Sequence, residues 1–211
     1  MKKGLLITFE GMDGSGKTTQ IKMIEEYLNS KGFKTVITRE PGGTIISESI
    51  RNIVLNNEFK EMDSTTELLL YCASRAQLVK EIILPAIENS KIVLCDRFID
   101  STIVYQGYAR GIDIDFLNKL NEFVSMGIEP DITFLLNISS QESKNRLNLC
   151  EEMDRIENED SNFYNKVCKG YNEITKIYKK RIKSIDGTKD KDKISLIIKN
   201  DIENILRRCS L

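Results

Sequence analysis

The chain has 211 residues, 40% hydrophobic and 30% charged, and its 31 Lys and Arg against 32 Asp and Glu leave a formal net charge of −1. That balance suits one folded domain with a real core, and it supplies no positive field to hold nucleic acid. The absence of His excludes imidazole bases, catalytic triads and His-ligated metals. Cys72, Cys95, Cys150, Cys168 and Cys209 form no C-x-x-C pair and read as reduced thiols, most simply buried small hydrophobes, of a cytoplasmic protein.

The chain opens Met1-Lys2-Lys3, but the apolar run behind it stops at Glu10, too short for a secretion signal. No segment has the length of a membrane span. That run, Gly4 to Glu10, reads as a strand buried on both faces. A Gly-rich turn follows, then a helix from about Lys17 to Ser30 closed by Gly32. Phe33 to Thr38, Ile92 to Cys95, Asp131 to Asn137 and Arg181 to Ile185 read as four more strands, with helices between them. Ser64-x-x-Glu67 and Ser139-x-x-Glu142 resemble capping boxes. Lys189 to Lys193 reads as a solvated loop, and the Ile-rich tail from Ile194 to Leu206 has helical spacing. Strands alternating with helices imply right-handed βαβ units: an α/β fold of three layers around a five-stranded parallel sheet, with ligands at the carboxyl ends of its strands. No repeat or linker divides residues 1–211, so a single domain is expected.

Gly11-Met12-Asp13-Gly14-Ser15-Gly16-Lys17-Thr18 fits G-x-x-x-x-G-K-[ST], placed between a strand and a helix. In this P-loop, glycines let successive N–H groups converge on an anion, and the helix adds its positive end. Lys17 then reaches the β- and γ-phosphates of ATP, and the Thr18 hydroxyl ligates Mg²⁺. Asp96, at the end of the third strand, either holds the same Mg²⁺ or caps the next helix. Phosphoryl transfer depends on positioning and charge neutralisation, so the arginines become the informative residues: Arg39, Arg51, Arg75, Arg97, Arg110, Arg146 and Arg155.

Four motifs together resemble the thymidylate kinase family over nearly the whole chain. They are Phe9 to Thr19, Thr38-Arg39-Glu40-Pro41-Gly42-Gly43-Thr44, Ala73-Ser74-Arg75-Ala76-Gln77, and Asp96-Arg97-Phe98-Ile99-Asp100-Ser101-Thr102 with Tyr105-Gln106-Gly107. The resemblance implies transfer of the γ-phosphoryl of ATP to thymidine 5′-monophosphate by a homodimer without nucleic-acid or membrane partners. It implies that Lys17, Arg97, Arg155 and Asp96 serve the transfer, and that Gly11 to Thr19 with Arg146 hold ATP. It implies that Arg97 bridges donor and acceptor, Arg51 meets the acceptor phosphate, and Arg39 and Ser101 belong to the substrate set. Thr102 and Gln106 match positions that read the base edge, and Tyr105 matches a ring beneath the sugar. Asp13 matches an acid that orients the acceptor, or it is an inert loop position. Tyr71 and Arg75 lie four apart on one helix, so they share a face. The family stacks the first on the base and sets the second against a ring carbonyl; core packing beside Leu68, Leu69 and Leu70 is the other reading of Tyr71.

Gly14 resembles the family arrangement in which basic residues sit in a short helical lid, here about residues 143–160. Asn148, Cys150, Glu151 and Glu152 stand where that lid often carries Arg or Lys, leaving Arg146 and Arg155 as its cationic contacts. Two rival readings follow: a kinase for another nucleoside monophosphate, and a nucleotide-binding paralogue with little turnover.

Overall fold

The computed structural model describes residues 4–147 and 153–208. Its central strand, β1 (Leu5–Glu10), is buried at all six positions, as a continuous apolar run requires of a strand covered on both faces. β2 (Thr35–Arg39), β3 (Ile92–Asp96), β4 (Ile132–Asn137) and β5 (Ile182–Asp186) complete a five-stranded sheet of order β2-β3-β1-β4-β5. Every pairing is parallel, so the expected α/β architecture is the one found.

Side chains of β1 alternate between the two covering layers. Leu5, Ile7 and Phe9 pack with Ile21, Ile24 and Leu28 of α1 (Lys17–Ser30) and with Ile194, Ile198 and Ile202 of α9 (Lys191–Arg208). Leu6 faces Leu78 and Phe98 in the opposite layer. There α2 (Ile45–Val54) lies beside α3 (Ser64–Leu78), which runs through a π-helical stretch, Val79–Ile83, into α4 (Leu84–Glu88). The same layer holds α5 (Ile99–Thr102), a second π-helical stretch Ile103–Ala109, α6 (Ile114–Val124) and α8 (Ser161–Ile177). The even positions of β1 beyond Leu6 are Thr8 and Glu10, both fully buried. A polar seam therefore runs through this layer, starting with Thr8 and Thr133 hydroxyls 2.7 Å apart.

The chain leaves β1 for β2 and β3 on one side and for β4 and β5 on the other. This topological switch point, at the carboxyl edge of the sheet, is where open parallel sheets bind ligands. Among the described residues no helix is long and apolar enough to cross a membrane.

Local expectations needed correction where competing polar groups stood side by side. Asp63, not Ser64, caps α3: its carboxylate accepts from Thr65 N at 2.8 Å, and Ser64 is the first helical residue. Glu67 does not complete a capping box but turns inward. Before α7 (Ser140–Leu147), Ser139 Oγ does accept from Glu142 N at 3.1 Å, yet the Glu142 carboxylate takes Arg146 instead of closing the box. The solvated stretch at Lys189 is shorter than expected, because Asp190 accepts from Asp192 N and Lys191 to Lys193 form the first turn of α9. β2 starts later than expected, at Thr35, and takes in Arg39. Of the expected lid, Asn148, Cys150, Glu151 and Glu152 lie outside the described residues, as does Cys209.

Candidate active site

The turn after β1 has the backbone its sequence predicts. Gly11, Gly14 and Gly16 adopt φ of 136°, 74° and 96°, and a Cβ on Gly11 would lie 2.5 Å from the Leu136 carbonyl. Met12 gives its side chain to the core, while Gly14 and Thr19 are exposed. The Lys17 ammonium folds back onto the carbonyls of Gly11 and Met12, each at 3.1 Å. Burial, and then the nearby Arg97 guanidinium, pull its pKa down, with Asp13 and Asp96 opposing. Ser15 Oγ is buried without a partner among the described residues. Arg146 lies across the loop, donating to Gly14 O at 2.9 Å, and Ser143 donates to Asp13 O at 2.7 Å. The beginning of the expected lid thus rests on the loop it was expected to cover.

Asp96 does not cap α5. Its carboxylate accepts from the Thr18 hydroxyl at 3.3 Å, and the N-cap position of α5 is held by Phe98, with no side-chain cap. These two oxygens are hard donors suited to Mg²⁺, which keeps several waters and needs few protein ligands. Arg39 and Arg51 line the same basin as Lys17, Thr18, Asp96 and Arg146. Arg39 pairs with Glu48 on the surface, while Arg51 donates to Pro41 O at 2.9 Å, beside the cis Glu40–Pro41 bond.

Arg97 follows directly, at φ 68°, a backbone state uncommon outside glycine. Its own N–H donates to Phe9 O at 2.9 Å, and the next N–H, of Phe98, donates to Glu10 Oε1 at 2.8 Å. Glu10 also accepts from Ser101 Oγ at 2.6 Å and Tyr171 OH at 2.9 Å. The turn is thus clamped from β1. The guanidinium then donates to Asp13 at 2.7 Å, to Tyr171 OH at 3.1 Å and to Ser101 Oγ at 3.3 Å, with its carbon 5.2 Å from the Tyr105 ring centroid. Burial opposes ionisation of Asp13, but Arg97 and Lys17 hold its carboxyl below the usual range. Burial pushes Glu10 up to about 7, with Asp100 adding to the effect and Arg97 opposing it.

A second cleft opens beyond Arg97 and is lined by Tyr71, Arg75, Ser101, Thr102, Tyr105 and Gln106. Asp13, Arg51 and Arg97 line both basins. Tyr71 is half-buried at its wall rather than packed into the core, whereas Leu68 is buried and Leu69 exposed. The Tyr105 hydroxyl is buried without a partner among the described residues. Arg75, expected to donate to a ring carbonyl, has given all five N–H groups to the protein. Nε and one terminal nitrogen bind Glu40, and the remainder reach Phe98 O, Thr102 Oγ1 and Asn121 Oδ1 at 2.7–3.0 Å. It is 2% exposed and braces the cleft from behind.

Arg155 is not brought to the loop. Its Nε donates to Val54 O at 2.9 Å and its NH2 to Glu67 at 2.7 Å, because a buried carboxylate there needs cationic partners more than solvent would supply. Arg110 pairs with the same Glu67 and with Glu159. The residues missed in the sequence are therefore Glu10, Glu67 and Tyr171. For Glu10 a signal existed: an acid ending a mostly apolar strand, on the same face as Thr8.

Two basins sharing arginines at a sheet's switch point suit the passing of a phosphoryl group between two bound molecules, and the fold around them is that of P-loop phosphotransferases. Residues 9–198 match the family model described as thymidylate kinase. A thymidylate kinase of Thermoanaerobacter sp. (strain X514) is 50% identical over 193 residues, covering 91% of this chain and 94% of the relative. One of Clostridium novyi (strain NT) is 47% identical over 196 residues, covering 92% and 96%. The crystal structure of thymidylate kinase from Ehrlichia chaffeensis superposes with a TM-score of 0.77 at 38% identity, covering 95% of this chain and 99% of that one. The chain belongs to the thymidylate kinase family.

Glu10 makes a checkable pH signature. Folded, its carboxyl holds a proton up to about pH 7; its ordinary value is 4.5. Between those values the folded state binds more protons than the unfolded one, so stability falls as pH rises through the window. The groups facing Glu10 are Asp100, Arg97, Ser101 and Tyr171. Glu10→Gln removes this titration, so urea unfolding from pH 5 to pH 8 should show the variant gaining on the parent as pH rises. Parallel profiles would contradict the assignment.

Proposed function

We propose that the chain transfers the γ-phosphoryl group of ATP to thymidine 5′-monophosphate, giving thymidine 5′-diphosphate and ADP, a step in supplying thymidine triphosphate for DNA synthesis. The observation that carries this reading is the meeting of the two basins at Arg97 and Asp13, which line both. The loop basin takes the ATP phosphates, with Gly11 to Thr19 supplying converging amides. Lys17 leaves the Gly11 and Met12 carbonyls for the phosphates, and Arg146, already on Gly14, lies over the donor. Thr18 and Asp96 would hold Mg²⁺, which when bound neutralises charge on the β- and γ-phosphates.

The second cleft takes the nucleoside. Tyr71 stacks on the base, Thr102 and Gln106 face its edge, and the Tyr105 ring underlies the sugar. Arg75 acts by holding Thr102: because Thr102 Oγ1 accepts from Arg75, its hydrogen is free for the base. Asp13, kept ionised by Arg97, accepts from the sugar hydroxyl. Arg51 takes the acceptor phosphate, with Arg39 at the rim and Ser101 steadying Arg97. Arg97 spans the gap, where a guanidinium can stabilise charge developing on the transferring oxygens. Arg155 anchors the returning arm of a lid insert, about residues 143–160 of a single domain, instead of touching phosphate. Among the described residues no contact in the cleft favours another acceptor or a binder without turnover.

The working form is a cytoplasmic homodimer. The adjacent helices α2, α3 and α6 carry exposed Ile46, Leu69, Phe116 and Phe123, the last 81% exposed. Apolar side chains gathered on neighbouring helices suit burial against a second copy.

Two measurements test these assignments. ADP release over a panel of nucleoside monophosphates should favour thymidine 5′-monophosphate by about 10²-fold or more, with turnover lost in Lys17→Ala; a preference for another nucleotide, or ATP binding without turnover, would overturn the reading. Sedimentation equilibrium should give a dimer for the parent and a monomer for Phe123→Glu combined with Leu69→Glu; a parent monomer would exclude the proposed assembly.

A further inference from the structure

Glu67 precedes Tyr71 by four residues and Arg75 by eight on α3, so the three share the face turned toward the nucleoside cleft. It is 1% exposed, and no step of the transfer uses it. Four donor contacts converge on its carboxylate. Oε1 accepts from Gln106 Nε2 at 3.0 Å and Arg110 Nε at 3.1 Å; Oε2 accepts from Arg110 NH2 at 2.9 Å and Arg155 NH2 at 2.7 Å. Burial opposes ionisation, but the Arg110 hydrogen bonds and charge outweigh it and hold the carboxyl below its ordinary range.

An ionised carboxylate only accepts hydrogen bonds, and this constrains the neighbouring amide. Were Gln106 turned over, its oxygen would face the Glu67 oxygen, acceptor against acceptor in a buried site. Its nitrogen must therefore take that side. Gln106 is 3% exposed and lines the cleft, and its Oε1 has no donor among the described residues. The cleft wall thus presents a fixed hydrogen-bond acceptor at this point.

We infer that Glu67 is a positioning residue for base choice: by holding the Gln106 nitrogen it keeps the amide oxygen toward the acceptor's ring and selects a pyrimidine whose N3 bears a hydrogen. This rests on the reading that puts the base in this cleft. Thymine carries N3–H and completes the bond. Cytosine offers a bare N3 lone pair, which meets the oxygen with no hydrogen between them. A site built around one buried hydrogen bond discriminates strongly because the wrong partner leaves a polar group unpaired. Arg110 and Arg155 keep Glu67 charged and aimed, so the segment returning from the lid takes part in base choice from the far side of the wall.

The test compares kcat/KM for thymidine and deoxycytidine 5′-monophosphates in the parent, Glu67→Gln, Gln106→Leu and the double variant. The KM for ATP and the melting temperature are measured alongside. Glu67→Gln should lower the thymidine-over-deoxycytidine ratio by about 10-fold or more, with the KM for ATP within about two-fold. The double variant should discriminate no worse than Gln106→Leu alone, because Glu67 acts through Gln106. If Glu67→Gln does not fold, Glu67→Asp keeps the charge but withdraws the carboxylate from Gln106, and it should move the ratio in the same direction. A ratio that changes in Gln106→Leu but not in a folded Glu67 variant overturns the inference and leaves the cleft reading standing, as does a double variant worse than Gln106→Leu. A ratio unchanged in Gln106→Leu overturns the cleft reading itself, and the inference with it.

Discussion

A half-buried guanidinium held in a left-handed turn is the interaction around which this structure is organised. Arg97 sits where β3 ends, and its backbone state would be unfavourable for a free chain. It persists because the carbonyl of Phe9 and the carboxylate of Glu10 take the two N–H groups of the turn. Both acceptors come from β1, the strand that also delivers the anion-binding loop. The loop, the Thr18–Asp96 pair and the Arg97 guanidinium are therefore positioned by one strand and its register with β3, where Phe9 stands opposite Asp96. Asp13 then balances the charge of Arg97 from within the loop. Precision between donor and acceptor sites is a property of the sheet rather than of flexible side chains.

A second polar knot, at Glu67, governs the other end of the cleft. It ties α3, the π-helical stretch Ile103–Ala109 with Arg110 just beyond it, and the returning arm of the lid insert to one carboxylate. Removing a partner from such a site leaves an uncompensated buried charge, so these groups are coupled rather than independent. Arg155 braces the cleft wall through Glu67, whereas Arg146 touches the loop itself, at Gly14 O.

Much of this was legible in the residues. The limits of α1, Lys17 to Ser30, followed from a glycine loop at one end and Gly32 at the other, both local signals. β1 was visible as an uninterrupted apolar run, and the contact of Asp96 with Thr18 instead of with α5 fits one of the two readings open for that acid. What stayed hidden involves long sequence separations. Glu67 looked like half of a capping box because that pattern is four residues wide, whereas its partners stand 39 to 88 residues away. Glu10 looked like the end of a strand because Tyr171 lies 161 residues on. Arg75 had a family role in recognition, but local spacing could not show that Glu40, Phe98, Thr102 and Asn121 would use up its donors. Asp63 and Ser64 were neighbours competing for one cap, a choice settled by backbone geometry alone.

In the proposed transfer Arg97 acts on the transferring group rather than merely binding one partner. Single-turnover phosphoryl transfer in Arg97→Met, with the Kd of each nucleotide measured separately, addresses it directly. Loss of about 10³-fold or more in the transfer rate, with each Kd changed by less than about ten-fold, is the expected result. A transfer rate within about ten-fold of the parent would contradict the account.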